Sequence, residues 1–435
     1  MSCNIPFLPP EIHQNISRFV DRDDLASYRL SNKMFAELGK PELFHTITLR
    51  FTRASVARLR NIKVNEELCK LVRVVIFDHN LWRVGDGVRD YHEWTRYCNM
   101  QATKALKTDP EQSALYRELA GSRDHWAAYL DRLDEEKEAV KELVNFGLVF
   151  DILTTLRGVQ KIRVVNGAYR FSNWRIYRSE HHATVPVAAP LDLWKGDSFS
   201  QLNDNSTWII PITPTTANKL RLEGITGRDL DSLYIVGGVI QHLTSIRIQL
   251  GQHVAGFHYH LHSFPVFLGS QRNLESLHID LHRRIAGETR TEQSPRTIQD
   301  TFEISESGKA LPEGPLTWPQ LRKLSLRHFD STTQALVSLV TRHSTTLRDL
   351  RLHAIGLCAE QPETTTPASW SDVLRTIEAT TTLEHVALSG EFREISNRGG
   401  KLDFDDDKDY GRAVASWMVN GGDCPLAKES VTKTM

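Results

Sequence analysis

A chain of 435 residues, 40% hydrophobic and 25% charged, has the material for a large core and the charge of an ordinary water-exposed globular protein. Its net charge of -1 lacks the basic excess of a general nucleic-acid binder, so no nucleic-acid partner is expected. No apolar run approaches a bilayer span, and no basic n-region precedes an apolar segment at the start. The expectation is therefore no membrane partner and a cytoplasmic or nuclear location. The cysteines, at 3, 69, 98, 358 and 424, are odd in number and far apart. They point to buried free thiols in a reducing compartment rather than a disulfide frame.

The first fifty residues predict three short helices. Pro9-Pro10 suits a helix start, because proline's fixed φ fits the first turn. Ile12, Ile16, Phe19 and Val20 follow at i, i+4, i+7 and i+8, one helical face. Asp21 to Asp24 is a polar break, with Asp23 or Asp24 placed to cap a second helix carrying Leu25, Tyr28 and Arg29. Ser31 or Asn32 caps a third with Met34, Phe35 and Leu38, which Gly39 and Pro41 are expected to end. So small a unit buries little apolar surface by itself and often completes its core on a partner. The pattern Phe7-Leu8-Pro9, with Leu25, Leu30, Phe35 and Leu43-Phe44, resembles the F-box, which docks on Skp-type adaptors of cullin ubiquitin ligases. The resemblance implies that Leu8, Pro9, Ile12, Ile16, Leu25 and Leu30 insert into the adaptor. Phe35 and Leu43-Phe44 replace the family's tryptophans, conservatively in volume. The alternative for these helices is a cap on the repeats that follow.

From residue 71 onward a phrase recurs: apolar, two variable, apolar, variable, apolar. It reads Leu71/Val74/Ile76, Val159/Ile162/Val164, Ala217/Leu220/Leu222, Leu243/Ile246/Ile248, Leu274/Leu277/Ile279, Leu321/Leu324/Leu326, Leu347/Leu350/Leu352 and Leu383/Val386/Leu388. This is the strand half of a leucine-rich repeat. From Ala217 the steps are 26, 31, 47, 26 and 36 residues, so some repeats hold insertions. Asp90 to Leu156 is expected to be a helical hairpin with a stripe of Trp126, Tyr129, Leu130, Leu133, Val140, Leu143 and Val144, supported by a Glu138–Lys141 pair. A buttress fits it better than a binding element. Phe171 to Pro214, with Trp174, Trp194 and Trp208, reads as an irregular loop, either a lid or a segment pinned by its tryptophans.

Further along, Leu230, Leu233, Tyr234 and Val236 begin a helix, and Gly287 to Pro315 reads as a mobile loop. Thr333 to His343 puts Ala335, Leu336, Leu339 and Val340 on one helical face. Ser371 to Glu378 does the same with Val373, Leu374 and Ile377, capped by Ser371 or Asp372. A last helix is expected over Tyr410 to Met418. Strand plus helix per repeat gives a solenoid whose units bury their apolar faces on neighbours. It lacks the asparagine ladder of regular repeats and resembles the divergent repeats of fungal-type F-box proteins. A one-layer β-helix is the structural alternative.

The fold class expected is therefore α/β. A three-helix F-box-like module spans 1–50. An irregular leucine-rich-repeat solenoid spans 51–395, with the helical insertion at about 90–156 and the loop at about 287–315. An acidic loop, short helix and tail close the chain at 396–435.

Few patterns look chemical. His258, His260 and His262 would share one strand face but lack the ligand spacing of zinc sites. Asp403, Asp405, Asp407 and Asp409 mimic a calcium loop, yet Lys408 and Val414 stand where glycine and glutamate are required. There is no phosphate-binding loop, nucleophile elbow or Cys–His signature. No metal, no cofactor and no catalytic residue are expected, and the chain is expected not to be an enzyme. The residues between the terminal apolar pair of each phrase form one outward column: Arg163, Arg221, Arg247, His278, Ser325, Arg351 and Ala387. Lys323, Arg327, His353 and His385 flank it against Glu223, Asp280 and Asp349. Such a column suits a protein substrate that is acidic or phosphorylated, because guanidinium pairs with carboxylate and phosphate. Charged side chains filling an exposed face explain it equally well. The function expected is substrate recognition for a Skp–cullin–F-box ligase. A non-ligase interaction scaffold on the same repeats is the alternative.

Overall fold

The computed structural model describes residues 8–49, 52–78, 90–106, 110–140, 155–165, 217–225, 242–250, 263–281, 297–302, 315–358, 369–395, 401–405 and 407–426. The readings over 171–214, 230–238, 258–262 and 141–144 lie outside them. The chain divides into two compact units, one running to Leu202 with Thr215–Ala217, the other built mainly from Asn218 onward.

The first unit begins with α1 (Pro10–Phe19), α2 (Arg22–Leu30) and α3 (Lys33–His45). Pro10 sits in the first turn of α1, and Asn32 caps α3 by accepting from Phe35 N at 2.8 Å. The capping position of α2 is Asp21, so Asp23 and Asp24 lie inside that helix. The expected stop at Gly39 and Pro41 does not occur, and α3 runs through both to His45. Proline within a helix costs a hydrogen bond, and tertiary packing outweighs it here. A Cβ on Gly39 would lie 2.7 Å from Arg29 Cγ, so glycine lets the arginine stem lie flat on α3. Arg29 Nε then donates to Ala36 O at 3.0 Å, and its guanidinium sits 5.9 Å from the centre of the Phe44 ring.

Three parallel strands follow in this unit: β1 (Thr46–Leu49), β2 (Val74–Asp78) and β3 (Lys161–Val165). Between β1 and β2 lie α4 (Arg53–Lys63) and α5 (Glu66–Leu71), capped by Thr52 and Asn65. The register corrects the first repeat phrase by one residue. Val75 and Phe77 face the core and stand opposite Ile162 and Val164, whereas Val74 and Ile76 are half-buried on the other face. With apolar residues at 74, 75, 76 and 77, periodicity cannot choose the face, and pairing with Ile47 and Leu49 does.

Among the described residues, three helices stand where a two-helix hairpin is expected: α6 (Tyr91–Ala105), α7 (Pro110–Gly121) and α8 (Arg123–Val140). Asp90 caps α6, and the Ser122 hydroxyl accepts from His125 N at the start of α8. Their core is Trp94, Cys98, Ala102, Tyr116, Leu119 and Tyr129, with Trp126 packed on it; Trp94 Nε1 donates to Leu119 O at 3.1 Å. Leu130, counted in the expected stripe, is exposed. Burial pushes the Cys98 thiol up to about 12, so it is an inert core residue.

The second unit is organised by six parallel strands. They are β4 (Lys219–Ile225), β5 (Ser245–Leu250), β6 (Ser276–Asp280), β7 (Lys323–Arg327), β9 (Asp349–His353) and β11 (His385–Ser389), neighbours in that order. Leu220, Ile246, Leu277, Leu324, Leu350 and Val386 stand in one inward row. Leu222, Ile248, Ile279, Leu326, Leu352 and Leu388 form the next. The five strands after β4 are each started in the same way, by a single carbonyl accepting two consecutive N–H groups. Asn218 O takes Thr244 and Ser245, Thr244 O takes Glu275 and Ser276, and Glu275 O takes Arg322 and Lys323. Arg322 O takes Arg348 and Asp349, and Arg348 O takes Glu384 and His385.

Beyond β7, β9 and β11 the chain turns a corner through a left-handed residue each time: His328 (φ 60), Ala354 (φ 51) and Gly390 (φ 76). Each corner leads into a second sheet of β8 (Asp330–Thr332), β10 (Gly356–Cys358) and β12 (Glu391–Ile395), parallel to one another. An antiparallel β13 (Lys401–Asp403) closes it. The corners are laddered, His328 N donating to His353 O and Ala354 N to Ser389 O. At the end, Gly390 N meets the Asp405 carboxylate at 2.8 Å in place of a further repeat.

Helices fill in behind: α9 (Ser263–Gly269), α10 (Thr297–Phe302), α11 (Thr333–Thr341), α12 (Trp370–Thr380) and α13 (Lys408–Asn420). Ala335, Leu336, Leu339, Val340, Val373, Leu374 and Ile377 are buried as the spacing predicts. The cap of α12 is Ser369 rather than Ser371 or Asp372. The supposed loop at 287–315 contains α10, whose Ile298 and Phe302 are fully buried, Phe302 edge-on to Trp318. Two apolar anchors in a polar stretch are easily read as loop. The four acidic residues near the end are spent locally. Asp407 caps α13, Asp403 accepts from Asp405 N, Asp409 pairs with Arg412, and Asp405 holds Gly390.

His343 ties two repeats together. Its Nδ1–H donates to Leu339 O at 2.8 Å and its Nε2 accepts from Trp318 N at 3.0 Å, with the rings stacked. Burial pushes it down to about 4, below the ordinary 6.5. The neutral form is the native one, so its stabilisation is complete above pH 6.5 and is lost as pH falls towards 4. Urea unfolding should show up to about 3 kcal/mol less stability at pH 4 from this group. His343→Gln, which keeps both bonds but does not titrate, should show a smaller loss. Gly390→Ala should cost about 1–2 kcal/mol in the same assay, since L-residues resist this φ and the new Cβ would lie 3.0 Å from Ala354 N.

Candidate functional site

In the first unit, α1 meets α3 through its polar side. Ser17 is buried, the His13 ring lies 4.9 Å from Phe35, and Tyr28 Oη donates to His13 O at 3.4 Å. Tyr28 stacks on Phe35 at 4.6 Å. The consequence follows from helical geometry. Ile12, Ile16 and Phe19 lie on an adjoining side and are exposed, Phe19 by 88%, while Val20, the fourth residue of the expected stripe, falls on the side of His13 and Ser17 and is half-buried. Leu8 and Pro9 at the start of α1 are exposed as well, and so is Leu30 at the end of α2, by 88%. A helix with an amphipathic sequence has turned its apolar stripe away from its own domain. Leu25 is the exception among the expected docking residues. It is 2% exposed and belongs to the module's own core. Phe19 is the docking candidate that sequence reasoning left out, although its i+7 spacing from Ile12 carried the signal.

In the second unit the register confirms that Arg221, Arg247, His278, Ser325, Arg351 and Ala387 stand directly opposite one another on adjacent strands. Arg163 lies on β3 in the first unit, opposite Ile76. Arg327 stands one row along, in the series Glu223, Gln249, Asp280, Arg327, His353 and Ser389. The remaining outward row is Lys219, Ser245, Ser276, Lys323, Asp349 and His385.

The face is not a uniform basic surface. Arg351 makes two bonds of 2.9 Å to Asp349, and Lys323 lies 3.9 Å from the same carboxylate. Arg221 is ion-paired with Glu223. Asp280, 1% exposed, accepts from His328 Nδ1 at 2.8 Å and Gln249 Nε2 at 3.2 Å, with Arg327 Nε at 3.7 Å. His278 Nδ1 meets Ser325 Oγ at 2.8 Å, and His353 Nδ1 meets Ser389 Oγ at 2.9 Å. Burial and Arg247 push His278 down to about 4, and burial and Arg327 lower His353. Both are neutral at pH 7. Of the cations on this face, Lys219 and Arg247 have no carboxylate partner among the described residues.

No helix among the described residues is long and apolar enough to cross a membrane, and no cluster of three or more His, Cys, Asp or Glu among them could hold a metal ion. No protein-family model matches the chain, and no curated protein matches it significantly.

The two kinds of leucine should behave differently. Leu25→Ala should lower stability by about 2–5 kcal/mol. Ile12→Ala or Leu30→Ala should change it by less than about 0.5 kcal/mol. Chemical denaturation of the full chain distinguishes them.

Proposed function

We propose that the chain is a substrate-recognition adaptor of a Skp–cullin–F-box type ubiquitin ligase. The N-terminal helices act as an F-box-like module, and the repeating strands form an irregular leucine-rich-repeat solenoid that holds a substrate protein. The observation that carries this reading is the outward stripe of Ile12, Ile16 and Phe19 with Leu8, Pro9 and Leu30 beside it. It contains five of the six residues through which the F-box resemblance implies adaptor docking, all but Leu25, and adds Phe19. The polar anchoring of α1 by His13 and Ser17 leaves that stripe free for a partner. Phe19 and Leu30 have most to gain, roughly 1.5–3 kcal/mol each on full burial.

The repeated carbonyl-to-two-amide starts and left-handed corners support the solenoid reading. The chain itself performs no chemistry in this account. It raises the local concentration of substrate beside the ligase, and the cullin-bound subunits transfer ubiquitin.

The full chain should co-purify one-to-one with a Skp-type adaptor. Ile16→Asp with Phe19→Asp should weaken that complex by at least ~2 kcal/mol, as loss of central interface anchors does, while the unfolding midpoint stays unchanged. Leu8→Ala with Pro9→Ala should act in the same direction. Absence of binding by the unaltered chain, or equal affinity for all variants, would overturn the assignment.

A further inference from the structure

The outward face of the second unit splits chemically along its strands. At the N-terminal end of β4, β5 and β6, the register juxtaposes Lys219, Ser245 and Ser276 in one row and Arg221, Arg247 and His278 in the next. None of these six is acidic. Along the outward rows of these strands the next carboxylates, Glu223 and Asp280, stand one row further on. They are 4% and 1% exposed, and Arg221, Arg327, His328 and Gln249 already engage them.

A second observation points the same way. Among the described residues, Nε of Arg221, Nε of Arg247 and Nε2 of His278 are buried and have no hydrogen-bond partner. They belong to three side chains that stand side by side across the sheet. Buried donors without partners are rare in folded proteins and call for an acceptor. In the tautomer in which Ser325 donates to Nδ1, His278 carries its proton on Nε2 and is a neutral donor. The hydroxyls of Ser245 and Ser276, opposite one another on adjacent strands, add two more donors.

We propose that this block is a binding site for a single phosphoryl group carried on a side chain of the protein substrate. Arg247 and Lys219 contribute the charges not already neutralised, Arg221 flanks them, and Ser245, Ser276 and His278 supply neutral donors. A phosphoryl group offers three oxygens to donors from different directions, which a planar carboxylate does not, and guanidinium binds it through paired N–H bonds. Arg351 lies outside the site because two bonds hold it on Asp349, and Arg327 because it stands one row further on, beside Asp280. The proposal deepens the substrate half of the adaptor reading and rests on it only for what carries the phosphoryl group.

The test titrates the full chain with phenyl phosphate at constant ionic strength and follows the arginine Nε–H resonances, Arg247→Gln and Arg351→Gln serving to assign two of them. The Arg247 signal should move saturably while that of Arg351 stays still. Arg247→Gln should weaken binding about tenfold or more, judged by the Arg221 signal. Lys219→Gln, at an exposed position, should weaken it less and keeps the test open if the arginine variant misfolds. An equal response to benzoate would overturn the phosphoryl assignment. Uniform shifts of all arginines with phosphate or chloride would show screening and no site. Because no adaptor is present, loss of adaptor binding elsewhere leaves this result unaffected.

Discussion

Leu220, Ile246, Leu277, Leu324 and Leu350 stand opposite one another on five adjacent parallel strands, and Val386 continues their row on a sixth. Each strand of the second unit must arrive in the same register, because a slip of one residue would turn its apolar pair outward and its arginine or serine inward. The shared start, one carbonyl taking two amides, sets the register at one end of every strand after β4. The left-handed corner at His328, Ala354 and Gly390 sets it at the other for the last three. The array stops where Asp405 supplies the acceptor that another repeat would have offered. Trp417 and Met418 of α13 are buried beside it.

The same register decides what the opposite face can do. Parallel pairing puts like positions of successive repeats side by side, so each outward choice becomes a row. Rows of like charge would repel, and this chain breaks them with carboxylates at Glu223, Asp280 and Asp349, each within reach of a cation. The carboxylates are buried under their arginines, which lowers the local dielectric and strengthens the pairs, although such pairs add little net stability. What they leave over is the acid-free block around Arg247.

The first unit obeys a different constraint. Its three N-terminal helices bury Leu25 and Gly39 but are fastened to one another largely by polar and aromatic groups: Arg29 on Ala36 and Phe44, Tyr28 and His13 on Phe35. The apolar stripe of α1 is left outside. A stripe at i, i+4 and i+7 is visible in the sequence, but the side on which its partner lies is not. The same sequence would read identically if Ile12, Ile16 and Phe19 were the internal core. Leu25 shows the converse case, since nothing local separates it from Leu30.

In the repeats, legibility followed contrast. Phrases with polar residues between leucines, such as Leu274-Glu-Ser-Leu277-His-Ile279, gave face and register directly, and the outward row of the second unit followed from them. Val74-Val-Ile-Phe77 has no such contrast, and its face depends on its neighbours. Ion pairing along the face depends on side-chain rotamers and on rows two residues apart, so the neutralisation of Arg351 and Arg327 lay beyond a reading of one column. The corners were invisible because two of the three left-handed residues are His and Ala rather than Gly.

Amide hydrogen exchange on the full chain, with and without a Skp-type adaptor, tests the central claim most directly. The account predicts that the adaptor slows exchange across α1 and the end of α2, between Pro10 and Ser31, and leaves the strands of the second unit unchanged. Equal exchange with and without adaptor, or protection confined to those strands, would contradict it.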